Sequence, residues 1–588
     1  MEFMDEEPKS IWKKSWKLPG SFLGWLLLMI CIAMFITLFV ALVMDSGRVK
    51  QDWDIIAIVA GFCAVCVLLA LFIRWLCCWR NLKRSLFVLA CVVTLVAIFY
   101  AEEDWRGWHA WNRFKQAWAA KGEHFDLASV VPPPAPDEQN FAMTPIAFSS
   151  YGHILTRDGK AIPVQQRDDH FVVRMRMLIA HDNNIPTNCA GDRVKGTFTR
   201  LDNWQSYYRN LAARTNEFPV PAQPQSPAAD VLLALSRYDS GIAELRAASQ
   251  LPDSRFPIDY DNESPWAILL PHLAPLKTCA QVLQLRSVAE LQNGQPDKAL
   301  DDVKLALQLT DKIRTEPILV SHLVRLAMVQ LILQPVWEGL AEHKWSEAQL
   351  VALDAELAKL DFFAAYWLGM HGELGGQTGE MDLLRRHPEK LRDLAGLTDL
   401  DGGKIGPALS GGFIVHLIPT GWLYQNEYRC ARMMMNYYLP LADVSRGTFS
   451  PDLARRGDAA LAAETKSVSP FNLYERLMLP TLGNVAKKFA YGQESVDLAR
   501  VAIALERCRL AHGEFPESLD VLAPQFIDKL PHDVINGQPL HYRRTSDGQF
   551  VLYSVGWNET DDSGEVGRIK YGTPDISEGD WVWRYPAK

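Results

Sequence analysis

Cysteine is scarce and poorly placed for cross-linking. Of the ten, six (Cys31, Cys63, Cys66, Cys77, Cys78 and Cys91) lie in or beside long apolar runs, where a thiol serves as a small hydrophobic filler. Only Cys189, Cys279, Cys430 and Cys508 remain, too widely spaced for a disulfide framework. Basic charge is also short where a polyanion binder would need it. Residues 1–121 carry 14 Lys and Arg against 10 Asp and Glu, but the remainder carries 46 against 59, and this acidic bulk argues against nucleic acid as a partner. No Gly-x-Ser-x-Gly elbow, phosphate-binding Gly-x-x-x-x-Gly-Lys loop, dinucleotide fingerprint or His-Glu-x-x-His pair is present. Their absence removes the commonest nucleophile-elbow, nucleotide-bound and zinc-protease classes.

Long apolar runs, by contrast, are concentrated at the start. Ser21 to Met44, Ile55 to Ile73 and Ser85 to Tyr100 each approach the roughly 17–25 residues that cross a bilayer as helix, and all three are expected to be transmembrane. Trp12, Trp16, Trp25, Trp53, Trp75, Trp79 and Trp105 stand at their ends, where an indole sits between hydrocarbon and headgroups. Lys9, Lys13, Lys14 and Lys17 before the first run, with Arg74, Arg80, Lys83 and Arg84 between the second and third, outweigh Arg48 and Lys50 in the first connection. The positive-inside rule then places the N-terminus in the cytoplasm and everything after about residue 100 outside it. The first run is too long for a signal-peptide core and lacks a clear small-x-small cleavage site, so it is expected to stay on the chain.

Beyond the anchor (1–103), Asp104 to Lys121 places Trp108, Trp111 and Trp118 at approximate helical spacing, which predicts a juxtamembrane helix. Val131-Pro132-Pro133-Pro134-Ala135-Pro136 cannot be helical and reads as an extended spacer, closing a segment 104–145. Residues 146–200 mix short β-prone runs with turn clusters and predict irregular structure with a few strands. From Leu201 to about residue 490 the periodicity is helical. One helix should end at Asn293-Gly294 and the next open at Pro296, with Ala299, Val303 and Ala306 on one face. Ala289, Gly294, Ala299 and Ala306 resemble one tetratricopeptide helix hairpin, although no period of about 34 residues recurs. Ser346 and Gln349 form a capping box ahead of Leu350, Leu353, Leu357 and Leu360.

The last segment, 491–588, predicts an α+β module. Ser495 to Ala511 forms a helix stopped by Gly513, and Leu540 to Arg544 and Gln549 to Val555 form two strands. Ala504-Leu505-Glu506-Arg507, Arg509-Leu510-Ala511-His512-Gly513-Glu514-Phe515-Pro516, Leu530-Pro531-His532-Asp533, Gly537, Tyr542 and Phe550-Val551-Leu552-Tyr553-Ser554-Val555-Gly556 together resemble the globular part of type II secretion major pseudopilins. The resemblance covers about 80 residues. It implies calcium bound in the acidic loop after the Tyr-Ser-x-Gly strand, on Asn558, Asp561, Asp562, Ser563, Glu565 and Asp575, with Asp580 nearby. The oxygen-rich composition suits calcium, but the spacing is not that of an EF-hand. A solvated acidic loop held by its own turns is the alternative.

Asp104-Trp105-Arg106-Gly107, Val131-Pro132-Pro133-Pro134, Asn140-Phe141-Ala142-Met143-Thr144-Pro145, Ser321-His322-Leu323-Val324-Arg325, Gly421-Trp422-Leu423-Tyr424-Gln425-Asn426 and Gly556-Trp557-Asn558-Glu559 resemble an uncharacterised family of large bacterial membrane-anchored envelope proteins. Taken together, the expectation is a mainly α protein of the bacterial inner membrane, with three transmembrane helices, a large irregular helical domain outside the cytoplasm and a small C-terminal α+β module. Its partners would be the bilayer and other envelope proteins, in a scaffold for protein interaction, envelope assembly or secretion. The competing reading is an extracytoplasmic metal-dependent hydrolase. Its pocket would gather Asp168, Asp169, His170 and His181 under a glycine-rich lid near Gly402 to Pro419, which also holds Ser410. His371 with Glu373 and Glu380 lies on helical or glycine-rich sequence without a His-Glu-x-x-His pair, and the run Met433 to Met435, with Tyr437 and Tyr438, reads as core or interface packing that needs no cofactor.

Overall fold

The computed structural model describes residues 79–148, 153–155, 161–163, 189–215, 218–262, 264–391, 417–568 and 574–585. The first two apolar runs, the groups at Asp168 to His181 and the stretch Gly402 to His416 lie outside the described residues. The chain divides into two compact units, 1–102 and 103–588.

In the first unit, helix α1 (Trp79–Ala119) begins. Leu86, Phe87, Val88, Leu89, Val92, Val93, Leu95, Val96, Ile98 and Phe99 are all exposed. Its most apolar 18-residue window has a mean hydropathy of 2.2 and none of it is buried. A helix that is apolar on every face needs apolar surroundings on every face, and this one is long enough for a membrane anchor. Among the described residues only one other helix is comparably long and apolar, Leu319–Ala341, and 67% of its window is covered by the protein itself. Of the three expected spans, the described residues thus contain one uncovered candidate.

The second unit contains the rest of α1, where Gly107 and Trp111 are buried. The segment after it stays on the same core, because Phe125 before the proline run and Phe141 after it are both buried there. Asn140 fixes its return: Nδ2 donates to the Arg255 carbonyl while Oδ1 accepts from the Ala142 and Arg255 amides. Strands β1 (His153–Leu155) and β2 (Ala161–Pro163) form a short antiparallel pair.

The helical body follows as α2 (Leu201–Thr215), α3 (Pro227–Leu235) and α4 (Asp239–Ser249), then the hairpin α5 (Leu273–Gln292) and α6 (Pro296–Asp311). Gly294 takes a left-handed conformation (φ +72°) between them, Pro296 opens α6, and Ala289, Ala299 and Ala306 are buried. Next come α7 (Leu319–Ala341) and α8 (Glu347–Leu357), the latter opened by the Ser346–Gln349 capping box. Helix α9 (Phe362–Arg386) is glycine-rich for a steric reason. A Cβ on Gly372 would overlap the Pro317 carbonyl, and one on Gly375 would stand 2.6 Å from the Leu127 amide.

Helix α10 (Thr420–Met433) runs into a π-helical turn, Met434–Tyr438, whose Met434 and Met435 are core. The hairpin β3 (Ala442–Asp443) and β4 (Thr448–Phe449) leads to α11 (Pro451–Glu464), α12 (Leu473–Met478) and the 30-residue α13 (Gly483–His512), closed by Gly513 (φ +88°). An antiparallel sheet in the order β5 (His541–Arg544), β6 (Phe550–Ser554), β9 (Trp581–Trp583) packs on α13; β7 (Val566–Arg568) and β8 (Pro574–Gly579) pair separately. Helix α13 also packs on α7, α8 and α9, so it belongs at once to the helical body and to the terminal sheet.

Helices α1 and α10 approach each other backbone to backbone at Gly107 and Gly421. A Cβ on Gly107 would overlap the backbone of Gly421, and one on Gly421 the backbone of Glu103. Asp104 Oδ1 accepts the Gly421 amide at 2.7 Å and so caps the first turn of α10. Trp422 Nε1 donates to Glu103 Oε2 at 3.1 Å, and Arg106 donates to both oxygens of Glu103. Gly107→Ala is expected to lower the melting temperature of the full chain in neutral detergent, at a cost of about 1–3 kcal/mol. Gly376→Ala on α9 adds a methyl at 3.6 Å from Pro265, an ordinary contact. It should be neutral or stabilise by up to about 1 kcal/mol. Equal melting of the two variants would show that the α1–α10 crossing is not close-packed.

Candidate functional site

The acidic loop after β6 is built around Asp580, a fully buried carboxylate just before β9. Its Oδ1 accepts the Asp562 amide at 3.2 Å and its Oδ2 the Gly564 amide at 2.6 Å, which folds the loop back on itself. Asp561 Oδ1 accepts the Ser563 amide at 2.8 Å and the Tyr553 hydroxyl at 3.0 Å, and Asp561 Oδ2 lies 3.5 Å from His541 Nδ1. Asn558 donates through Nδ2 to Asp562 Oδ2 and accepts the Thr560 amide on Oδ1. Asp575 caps its own turn by accepting the Ser577 amide, and Glu565 is exposed, 3.9 Å from Arg584. Glu559 and Ser563 both adopt positive φ (60° and 61°), conformations that these hydrogen bonds hold in place.

The side chains of Asn558, Asp561, Asp562 and Asp575 are thus engaged in hydrogen bonds within the loop and its turns, and Glu565 stands exposed. Among the described residues no three His, Cys, Asp or Glu side chains gather as a metal-ligand set. Calcium needs six to eight oxygens around one point, and in this arrangement oxygens of Asp561, Asp562 and Asp580 are taken up by hydrogen bonds within the loop. What the sequence reading underweighted was Asp580, which pins the loop from the far side of the β7–β8 pair. Its signal was an aspartate directly before the buried run Trp581-Val582-Trp583.

The other polar candidates are dispersed. His371 bridges α9 to the chain after α1, with Nδ1 at 2.8 Å from the Trp367 carbonyl and Nε2 at 3.1 Å from Glu123. Glu380 accepts the Ser264 hydroxyl at 2.9 Å on the wall of an acidic cleft of about 680 Å3 that also shows Asp259, Asp261, Trp266 and Lys390. Cys189, Cys279, Cys430 and Cys508 are buried and free, and burial pushes the Cys279 thiol up to about 12, which makes it unreactive.

Carboxylates buried in the second unit form a more coherent set. Glu427 on α10 is buried; its Oε2 meets Arg385 Nη1 at 2.5 Å and its Oε1 has no partner. Burial lifts it to about 7 even against the pull of Arg385. Glu475 on α12 is fully buried with neither oxygen hydrogen-bonded, 4.0 Å from Arg429, and burial together with the charge of Glu464 raises it. On α13, burial and the charges of Asp533 and Asp497 push Glu494 well above its ordinary value, while its Oε2 accepts the Val534 amide at 3.0 Å. Asp497 is lifted by burial to about 6. Nothing in the local sequence marks these groups, because their burial comes from segments far away in the chain.

No family model, curated protein or solved structure matches the chain.

Two outcomes follow from the loop and the buried acids. Asp580→Ala should lower the melting temperature by several degrees, whereas calcium or a chelator should leave the parent protein's melting unchanged. A calcium-dependent rise of several degrees would show that the loop rearranges to bind the ion. The raised carboxylates hold protons in the folded state that the unfolded chain has already released above about pH 4.5. Their stabilisation is therefore complete below the unfolded values and falls as pH rises through about 7. Glu506 runs the other way: burial alone would raise it, but hydrogen bonds from Arg509 and His343 bring it below its ordinary value. Its contribution is lost only in acid. Melting should thus be higher at about pH 5.5 than at about pH 8, and Glu494→Gln, which keeps an acceptor for Val534, should flatten that slope. Melting that rises across this interval would contradict the assignment.

Proposed function

We propose that this chain is a membrane-anchored scaffold of the bacterial inner membrane, with residues beyond about 100 on the extracytoplasmic side. There it would engage other proteins in envelope assembly or secretion. The observation that carries the reading is the apolar stretch of α1, uncovered on every face and adjoining a large helical unit in sequence. The α5–α6 hairpin, with small residues at its contact, supports a tetratricopeptide-like element. The helix α13 with its antiparallel sheet supports the pseudopilin-like reading of the terminal segment. Trp266, 38% exposed on the wall of the acidic cleft, gives a protein partner apolar contact beside Asp259, Asp261 and Glu380.

Intact spheroplasts treated with a membrane-impermeant crosslinker, followed by affinity purification and mass spectrometry, test the proposal. A reproducible stoichiometric envelope protein is expected. A chain that is crosslinked to nothing would remove the scaffold reading, and a partner captured only with a permeant reagent would place the helical unit in the cytoplasm.

A further inference from the structure

In the second unit the hairpin β3–β4, the start of α11 and the loop 529–537 enclose a pocket of about 740 Å3. Hydrogen bonds stitch the three segments together. The Phe449 amide donates to the Val534 carbonyl at 2.7 Å and the Ser450 amide to the Leu441 carbonyl at 3.0 Å, while His532 Nε2 lies 3.0 and 3.2 Å from the Arg446 and Gly447 carbonyls. The floor is apolar: Leu441, Phe449 and Ile535 are buried residues that line it, and Phe449 is held in place by stacking on Phe363 at 4.7 Å. The pocket is therefore formed before anything enters it.

The charges around it leave one cation over. Arg446, Arg456 and Lys529 line the pocket with two carboxylates, Asp443 and Glu559. Asp443 is engaged within its own hairpin: Oδ1 accepts the Ser445 and Arg446 amides, each at 3.0 Å, and Oδ2 lies 3.7 Å from Arg446 Nε. Glu559 pairs with Arg455 at 2.7 Å, and Arg456 with Asp452 at 3.0 Å. Lys529 makes no hydrogen bond or ion pair among the described residues. An apolar floor beside one unanswered cation matches a ligand with an apolar body and a single negative charge. A phosphate monoester, at nearly two charges, exceeds that balance. An aspartate or glutamate side chain has the charge without the apolar group. A C-terminal residue with an apolar side chain carries both on the same carbon, and capture of such a terminal carboxylate is a recurring mode of peptide recognition.

We propose that this pocket captures the C-terminus of a partner protein, with an apolar last side chain seated on Leu441, Phe449 and Ile535 and its carboxylate paired with Lys529. The proposal rests on the scaffold reading, and it adds which part of a partner is recognised and by which residues.

The test uses the full chain in neutral detergent and an N-terminally fluorescein-labelled hexapeptide ending in leucine, with binding read by fluorescence anisotropy. The same peptide as its C-terminal amide, and a version ending in serine, should each bind about tenfold more weakly, since one lacks the charge and the other the apolar group. Lys529→Gln should weaken the acid about fivefold and leave the amide unchanged, a difference that a merely structural role would not produce. Lys466→Gln, which removes the same charge from an exposed position just after α11 and outside the pocket lining, should change binding less than about twofold. Lys529 is exposed, so its variant should melt as the parent does. No binding of the leucine peptide at millimolar concentration, equal binding of acid and amide, or equal loss in the Lys529 and Lys466 variants would overturn the proposal. N-acetylleucine competing as well as the peptide would make this a site for small apolar acids, and inorganic phosphate doing so would make it a general anion site; either result displaces the C-terminus as the ligand. The crosslinking above reads the scaffold separately. A captured partner without peptide binding refutes the pocket alone, and peptide binding by a chain that crosslinks to nothing refutes the scaffold alone.

Discussion

Two long helices have to be covered on nearly every side, and most of the second unit is the means of covering them. Helix α7 carries Met328, Val329, Leu333 and Val336 at no measurable exposure, and α13 does the same with Ala499, Val501, Ala502, Ile503 and Leu505. At roughly 25 cal/mol for each Å2 of apolar surface removed from water, helices of 23 and 30 residues cannot remain with a bare face. They pack on each other, and α5, α8, α9 and the terminal sheet close around them. The polar residues that α13 nevertheless carries are put to use. Gln493 accepts the Phe362 amide at the start of α9, Glu494 takes the Val534 amide, and Ser495 accepts from Arg193. A buried helix thus supplies the caps and turn acceptors that its neighbours would otherwise lack.

The first half of α1 poses the same problem without the same solution. Its apolar window is more hydrophobic than that of α7, with mean hydropathy 2.2 against 1.5, yet none of it is covered. One composition leads to two environments because α7 has neighbours at every face and this stretch has none among the described residues. From Glu103 onward the same helix becomes a packed element, and the change is marked by chemistry. Gly107 lets a neighbouring backbone approach where Val96 and Leu95 were exposed about three turns earlier, and Asp104 turns from a charge at the end of an apolar run into the cap of α10. Trp111 then faces the core while Trp108 faces out.

Features governed by near neighbours in the chain were legible in the sequence. The Gly294 and Pro296 punctuation, the Ser346–Gln349 box, the stop at Gly513 and the strands at His541–Arg544 and Phe550–Ser554 all depend on residues within a turn or two of one another. Met433 to Met435 read as packing, and they pack. What local pattern could not show was which segments share a core. Phe125 and Phe141 flank a proline run that looked like a spacer, yet both are buried in the same cluster. Helix α13 looked like the first element of a small terminal module, yet α7, α8 and α9 lie against it. The acidic loop was legible as composition only: Asp561 and Asp580 are spent on amides of the loop itself, and Asp580 comes from beyond two intervening strands.

The same distinction bears on charge. A formal net charge of −9 describes a chain that should repel anions. Many of its acids, however, are not on the surface: Glu290, Asp302, Glu427, Glu475, Glu494, Glu506, Asp533 and Asp580 are buried. Burial lifts Glu290 and Glu427 to about 7, so near neutrality these groups are only partly ionised. Others are paired with arginine, as Glu506 is with Arg509 and Asp230 with Arg209. The field outside the protein is therefore less negative than composition implies, and it is set by whichever charges lack a partner at a given place. Around Trp105 to Arg113 the unpaired charge is positive, and this is the part of the second unit whose sequence adjoins the apolar helix. Charge counted along the chain gives a single sum, but only charge located in the fold shows where an ion of either sign would be welcome.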